Sequence, residues 1–402
     1  MIKKILILIA LVFAGTTFLQ ASQIDDLANK LSEKGIISQE EAETLINAAN
    51  AADKSAEKKT VKESSVTKWV SNMKISGDIT LRSELTHDEK GAQKFDRERQ
   101  RARFRLGFET APSEKTKAVF GLETSGTNPT SAFVDFEDFS NAAVFLAYAY
   151  FQYAPSKTLS ISAGKIKSGL SDWKPSQLIW KTDVNPYGLA VNANIKKSDK
   201  LKFFANAGWY SLTRYQDNET ARDIPMNISA ILQGGAEYKQ GNFSAKAAIA
   251  FRQFDFQGHS TTTWIKSNGS LTLINPSWEI KYNNIVSSYG VVFSGEYSSN
   301  VNDAAKEDKN AFIAYLGIGD DKVNDFGKWQ LKGGYRRVEA NAIPLGFGNT
   351  SAYNADPGKG FEGFAALGLL KNLTLNITYY DMTNIDGKKP QQVTQIDVVY
   401  KF

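Results

Sequence analysis

The sequence contains no cysteine and only two histidines, His87 and His259, in 402 residues. Disulfide frameworks and thiolate metal sites are therefore excluded, and neither histidine forms half of a ligand pair. A hydrolase would need a nucleophile beside a base, yet no serine constellation accompanies either imidazole. The sequence accordingly reads as a non-enzyme without cofactor or metal. Mean hydropathy is −0.34. Beyond the N-terminus no stretch approaches the roughly 20 apolar residues of a transmembrane helix, so membrane residence would have to come from strands. The net charge of +5 is modest. Its basic residues recur at strand period along many segments rather than in one patch, which gives no reason to expect a nucleic-acid partner.

The N-terminus carries what the rest lacks. Lys3 and Lys4 precede an apolar run from Ile5 to Ala14, and Ala21 offers a small residue before a cut ahead of Ser22. Residues 1–21 thus read as a signal peptide, and export to an oxidising compartment fits the missing thiols. In residues 22–52, Ile24, Leu27, Ala28 and Leu31 recur at helical spacing, Gly35 can stop the turn, and Ser38 with Glu41 makes a capping box for a second helix. This helical segment reads as a periplasmic spacer, an oligomerisation element or a cell-wall contact. Residues 53–68, rich in Lys, Glu, Ser and Thr, read as a flexible linker.

From residue 69 onward the dominant pattern is alternation. In RERQRARFRLGF, Arg97, Arg99, Arg101, Arg103 and Arg105 alternate with Ala102, Phe104, Leu106 and Phe108. A period of two puts cations on one strand face and apolar groups on the other. An arginine facing lipid near the midplane costs roughly 2 to 4 kcal/mol, so the arginines must face water and the apolar set lipid. About sixteen such segments follow one another, including weak ones around Ile161 and Trp278. Short turns such as Pro155 to Lys157, Asn283 to Asn284 and Lys371 to Asn372 alternate with long polar connections such as Thr124 to Ala142, Gly169 to Pro186 and Asn341 to Gly360. Residues 69–402 therefore read as an all-β transmembrane barrel of about 16 antiparallel up-and-down strands, with a short α-helical N-terminal extension. Aromatics near strand ends, among them Trp69, Tyr153, Tyr187, Trp209, Tyr238, Tyr297 and Tyr379, fit two interfacial girdles against outer-membrane lipid.

The chain ends with Ile396, Val398, Tyr400 and Phe402 on one face. This ending resembles that of bacterial outer-membrane barrels, which implies that Tyr400 and Phe402 are an assembly signal read by the barrel-assembly machinery. From Leu27 through the arginine strand to Phe402, the mature chain is similar to a family of bacterial porins with a short helical N-terminal segment. The resemblance implies an outer-membrane pore and suggests a homotrimer, without naming a solute. General trimeric porins fold one acidic loop into the lumen. Here the corresponding loop, Ser168 to Pro186, has only Asp172 and Asp183 as acids beside Lys174 and Lys181, so it reads either as a constriction or as an ordinary outer loop.

The faces assigned inward carry Arg82, Arg99, Arg101, Arg103, Arg105, Lys117, Lys202, Lys246, Arg252, Lys332 and Arg336, with Asp78, Glu84, Glu109 and Glu123 as acids. A cation-rich wall beside low-dielectric protein enriches anions, and guanidinium offers paired donors to carboxylate or phosphate. The alternative is a salt-bridged wall that only stiffens the barrel. The expected function is passive diffusion of small hydrophilic solutes with mild anion preference. A phosphate- or oxyanion-selective channel, and a non-conducting barrel serving as anchor or adhesin, are the other readings.

Overall fold

The computed structural model describes residues 72–402 apart from 91–92, 125–130, 137–141, 171, 217–222, 257–268, 287–288, 303–306, 350–351 and 354–356, together with six isolated helical or flanking positions between Glu33 and Asn47. The signal peptide, the two-helix leader as a whole, the linker, Trp69 and His259 lie outside the described residues. Met73–Phe402 forms one compact unit.

Every wall strand of that unit pairs antiparallel with its chain neighbour. The strands are β1 (Lys74–Lys90), β2 (Gln93–Ser113), β3 (Thr116–Thr124), β4 (Val134–Asp135), β5 (Val144–Tyr153), β6 (Leu159–Lys165), β7 (Tyr187–Lys196), β8 (Leu201–Gln216), β9 (Asp223–Gln240), β10 (Phe243–Phe256), β11 (Gly269–Val286), β12 (Tyr289–Asn300), β13 (Asn310–Gly319), β14 (Trp329–Val338), β15 (Gly358–Leu370), β16 (Leu373–Thr383) and β17 (Gln391–Lys401). Two-residue β4 belongs to a connection and pairs only with β2, so sixteen strands make the wall. β17 pairs with β1, from Asp78↔Lys401 to Asp88↔Gln391, and closes the cylinder. Closure leaves no unpaired edge, which a backbone in hydrocarbon could not tolerate. Phe402 finishes the seam by exchanging backbone hydrogen bonds of 2.9 and 3.1 Å with Gly77. A Cβ at Gly77 would lie 2.4 Å from the Arg105 carbonyl oxygen and 2.6 Å from the Phe402 ring, so only glycine fits there.

The alternation has the expected sense. On β1, Ile75, Ile79, Leu81 and Leu85 are exposed outward while Asp78, Thr80, Glu84 and Thr86 are buried inward. Phe151 at 74% and Leu232 at 62% are open on the outer face, as lipid-facing side chains must be. Each such side chain gains roughly 1.5 to 3 kcal/mol when hydrocarbon replaces water. Tyr153, Tyr187, Trp209, Tyr238, Tyr297 and Tyr379 also point outward. The weak segments around Ile161 and Trp278 are full strands, β6 and β11.

One turn lies elsewhere than expected. The left-handed Asn284, at φ 58°, sits in an irregularity of β11 where the register shifts between Tyr282 and Val286, and Val286 still pairs with Tyr289 of β12. A bulge and a tight turn both use a left-handed Asn, so the residue type alone does not separate them. By contrast Asn372, at φ 63°, forms the two-residue turn with Lys371 as read.

The larger departure is inside. The connections read as long outer loops at Gly169 to Pro186 and Asn341 to Gly360 fold into the barrel and build an apolar core there. Leu178, Ile179, Trp180 and Val184 of the first pack with Ala342, Ile343, Leu345 and Phe347 of the second. Both meet Phe254 and Phe256 of β10, Leu271 and Leu273 of β11, and Ile313 of β13, whose upper ends turn apolar groups inward. Trp180 lies 6.1 Å from Phe254 and 5.5 Å from Phe347, ring centre to ring centre. Burial of these rings in a shared core outweighs the usual surface placement of connections.

Candidate functional site

Three groups of side chains occupy the lumen: a ladder of paired arginines, a loop tethered across the interior, and a chamber with lysines. The ladder follows from strand register. β1 sets Asp78 opposite Arg105 and Glu84 opposite Arg99, acid against guanidinium, while Arg82 stands opposite Arg101 and both find their carboxylates on other strands or nearby positions. Arg103 donates to Asp78 at 2.8 Å and Arg105 to the other Asp78 oxygen at 2.7 Å. Arg99 pairs with Glu84 and, at 3.2 Å, with Asp135. Arg101 meets Asp135 at 2.6 Å and Glu84 at 3.5 Å. Arg82 makes a bidentate pair with Asp397, both contacts 2.7 Å. The Phe133 ring lies beneath Arg82 at 3.9 Å and Arg103 at 4.9 Å. Each ladder arginine therefore has a carboxylate partner.

Two of those partners, Asp135 and Asp397, are absent from the sequence-based set. Asp397 was within reach of pattern reasoning, because it sits between the outward Ile396 and Val398. Asp135 was not, since it arrives on β4, a fragment of a connection that folds back onto β2.

The tethered loop, Ile166 to Pro186, is not an ordinary outer loop: it crosses the interior. Its neck is closed by the Ile166 amide on the Pro186 carbonyl at 2.7 Å. Gln233 of β9 accepts from the Trp173 amide and donates to the Trp173 carbonyl, both at 2.8 Å. Asp172 reaches Arg252 of β10 at 2.6 Å, and the Ser176 amide donates to Glu296 of β12 at 3.2 Å. The Lys181 amide donates to the Phe347 carbonyl at 2.7 Å, joining the two inner loops. Burial draws the Lys174 and Lys181 ammonium groups below the usual lysine range, opposed by Asp172 and Asp183 respectively. Arg336 has a similar anchoring role, donating to the Asn349 carbonyl at 3.1 Å and lying 3.5 Å from Glu362. Arg252 and Arg336 are buried, and their charge is matched by loop and wall carboxylates.

The chamber, about 690 Å³, lies between this loop and the wall. Lys202, Lys246 and Lys332 line it. All three stand within four residues of the short-turn end of their strands. Among the described residues, none has a carboxylate within the 4.0 Å of an ion pair. Lys246 instead stands over Trp173 at 4.6 Å and Phe204 at 4.8 Å, and Lys332 over Tyr315 at 4.4 Å and Phe364 at 4.5 Å.

The remaining residues named from sequence fall elsewhere. Lys117 pairs with Glu109 at 2.9 Å near a short turn. Glu123 lies opposite Arg105 in the β2–β3 register and lines a second cavity of about 420 Å³ with Tyr148, Lys167 and Asp183. Among the described residues, no cluster of three or more His, Cys, Asp or Glu could hold a metal.

A family model described as "Putative porin" matches residues 91–287 and 283–402. No curated protein matches the sequence. Among solved structures, a high-pH structure of Pseudomonas putida OprB is similar at TM-score 0.52 and 11% identity, over 84% of this chain and 96% of that one. OmpF of Salmonella typhi gives 0.46 and 15% over 82% and 97%. A mutant of the Rh. blastica porin gives 0.45 and 11% over 82% and 100%. The likeness to OprB is one of fold.

Proposed function

The chain belongs to that porin family and is a bacterial outer-membrane barrel, and on this premise we propose that it passes small hydrophilic solutes with a mild preference for anions. The observation that carries the preference is the contrast between two sets of cations. Ladder arginines face carboxylates, whereas among the described residues Lys202, Lys246 and Lys332 have none in ion-pair range. Among the described residues, the chamber is lined by five cations against three carboxylates. An unmatched unit charge about 8 Å from a passing ion is worth about 0.5 kcal/mol even in bulk-like water. Two in excess favour anions by about 1 kcal/mol, roughly fivefold before screening, and salt erodes the effect. This moves the preference from the arginine strand to the lysines. The oxyanion reading loses support for the same reason, because the paired donors of the guanidiniums already hold carboxylates.

β1 starts and β17 ends at the short-turn end, so short turns facing the periplasm would put the helical leader there too. The anchor reading draws on one observation, the apolar core that two loops build across the lumen.

Reversal potentials of the purified mature chain in planar bilayers under a KCl gradient test the proposal. The expected result is chloride preference, strongest at low salt, and its loss in Lys202→Gln, Lys246→Gln, Lys332→Gln. Cation preference in the unaltered protein would overturn it, and absence of conductance would favour the anchor. Replacing Arg101, Arg103 and Arg105 alone is a poorer test, since it uncovers Asp78, Glu84 and Asp135. Removing Arg103 together with Asp78 keeps the charge constant and should leave selectivity within twofold.

A further inference from the structure

Lys246 is flanked in register by two carboxylates, Glu237 on β9 and Glu279 on β11, yet forms an ion pair with neither. Glu237 is taken by Lys239 at 2.6 Å. The Lys246 ammonium stands instead over the faces of Trp173 and Phe204. Lys332, on a wall four strands away, repeats the arrangement with Tyr315 and Phe364. Its nearest acid, Glu362, is engaged by Arg336 and by the Tyr315 hydroxyl. Attraction between an ammonium and a ring face holds a lysine head at a chosen place in the lumen without cancelling its charge.

Half of this construction depends on the inner loop. Trp173 reaches Lys246 because Gln233 holds its amide and carbonyl. The chamber volume of about 690 Å³ lies within the range of small-molecule sites, roughly 300 to 1,000 Å³. A site for inorganic anions needs donors and no apolar surface. This one sets two unmatched ammonium groups among four aromatic rings, all lining or bordering one space.

We infer that the chamber holds a subsite for a small organic carboxylate with a flat apolar body, whose charge meets Lys246 or Lys332 while its body covers Trp173, Phe204, Tyr315 or Phe364. The inference deepens the anion-preferring channel reading and rests on it. A solute of this kind would dwell in the chamber and interrupt the passage of smaller ions, whereas acetate or phosphate would gain only the charge contact.

The probe is benzoate, added on the short-turn side of the full mature chain in planar bilayers, with acetate, inorganic phosphate and benzyl alcohol as comparisons. Benzoate should interrupt the KCl current saturably, at a half-blocking concentration at least tenfold below those of acetate and phosphate, and benzyl alcohol should not block. Lys246→Met with Lys332→Met should raise the benzoate value at least tenfold. Phe204→Leu with Phe364→Leu, which nearly conserves volume, should bring it to that of acetate. Equal potency of phosphate and benzoate, block by benzyl alcohol, or indifference to both pairs of substitutions would overturn the subsite. Isothermal titration of the detergent-solubilised barrel reads the same ranking without current. A closed or cation-preferring channel would thus defeat the channel reading, while benzoate binding itself remains measured.

Discussion

Arg252 and Asp172 meet at 2.6 Å with side chains only 2% and 1% exposed. Such a pair is weak evidence of net stability, because desolvating two charges offsets most of their attraction, but removing one partner strands the other. Asp172→Asn should therefore cost about 3 to 5 kcal/mol at the loop tether. The expected outcome is a larger and noisier single-channel conductance as the loop leaves the wall. Arg252→Met with Asp172→Leu, which removes both charges, should lie much closer to the unaltered protein. Equal behaviour of the single and double variants would deny the pair its role. Arg252 was legible as inward from alternation along β10, but its partner lies 80 positions away in sequence, and no local period connects them.

The connection between β13 and β14 shows what a single element contributes. Asp320 accepts from the Trp329 amide at 3.0 Å and from Lys328 at 2.9 Å, and these contacts hold its carboxyl below the ordinary 3.8. A depressed folded-state value means the carboxylate stabilises the turn above the unfolded value. That contribution declines as pH falls below about 3.8 and is lost through the lower folded value. The Trp329 amide resonance should follow a titration centred below 3.8, and Asp320→Asn should abolish it. A midpoint at or above 3.8 would contradict the contact. The connection runs between Gly319 and Trp329, longer than the two-residue turn at Lys371 and Asn372.

Across the whole molecule, Trp180 is the side chain on which the two inner loops converge. It touches Phe254 and Phe347, and its indole NH donates to the Val184 carbonyl at 2.8 Å. Trp180→Ala should leave a cavity costing about 3 to 5 kcal/mol locally. Since the sixteen-strand wall does not depend on that contact, the barrel should still assemble, as judged by its unheated gel mobility, while conductance rises. An unchanged conductance would mean that the apolar core does not narrow the path.

The wall was readable along the chain because its constraint is local. Lipid on one side and water on the other impose a period of two on each strand separately, and this set the strand faces, their number and the alternation of short and long connections. The fate of the long connections was decided only when the cylinder closed. Closure brought Gln233, Arg252 and Glu296 opposite the Ile166 to Pro186 loop, and Phe254 and Phe256 opposite Trp180 and Phe347. It also brought Asp397 beside Arg82 at the seam and, among the described residues, left Lys202, Lys246 and Lys332 without ion-pair partners. Pairing of charges and burial of loops both depend on what lies across the lumen, and that distance does not exist until the first and last strands meet.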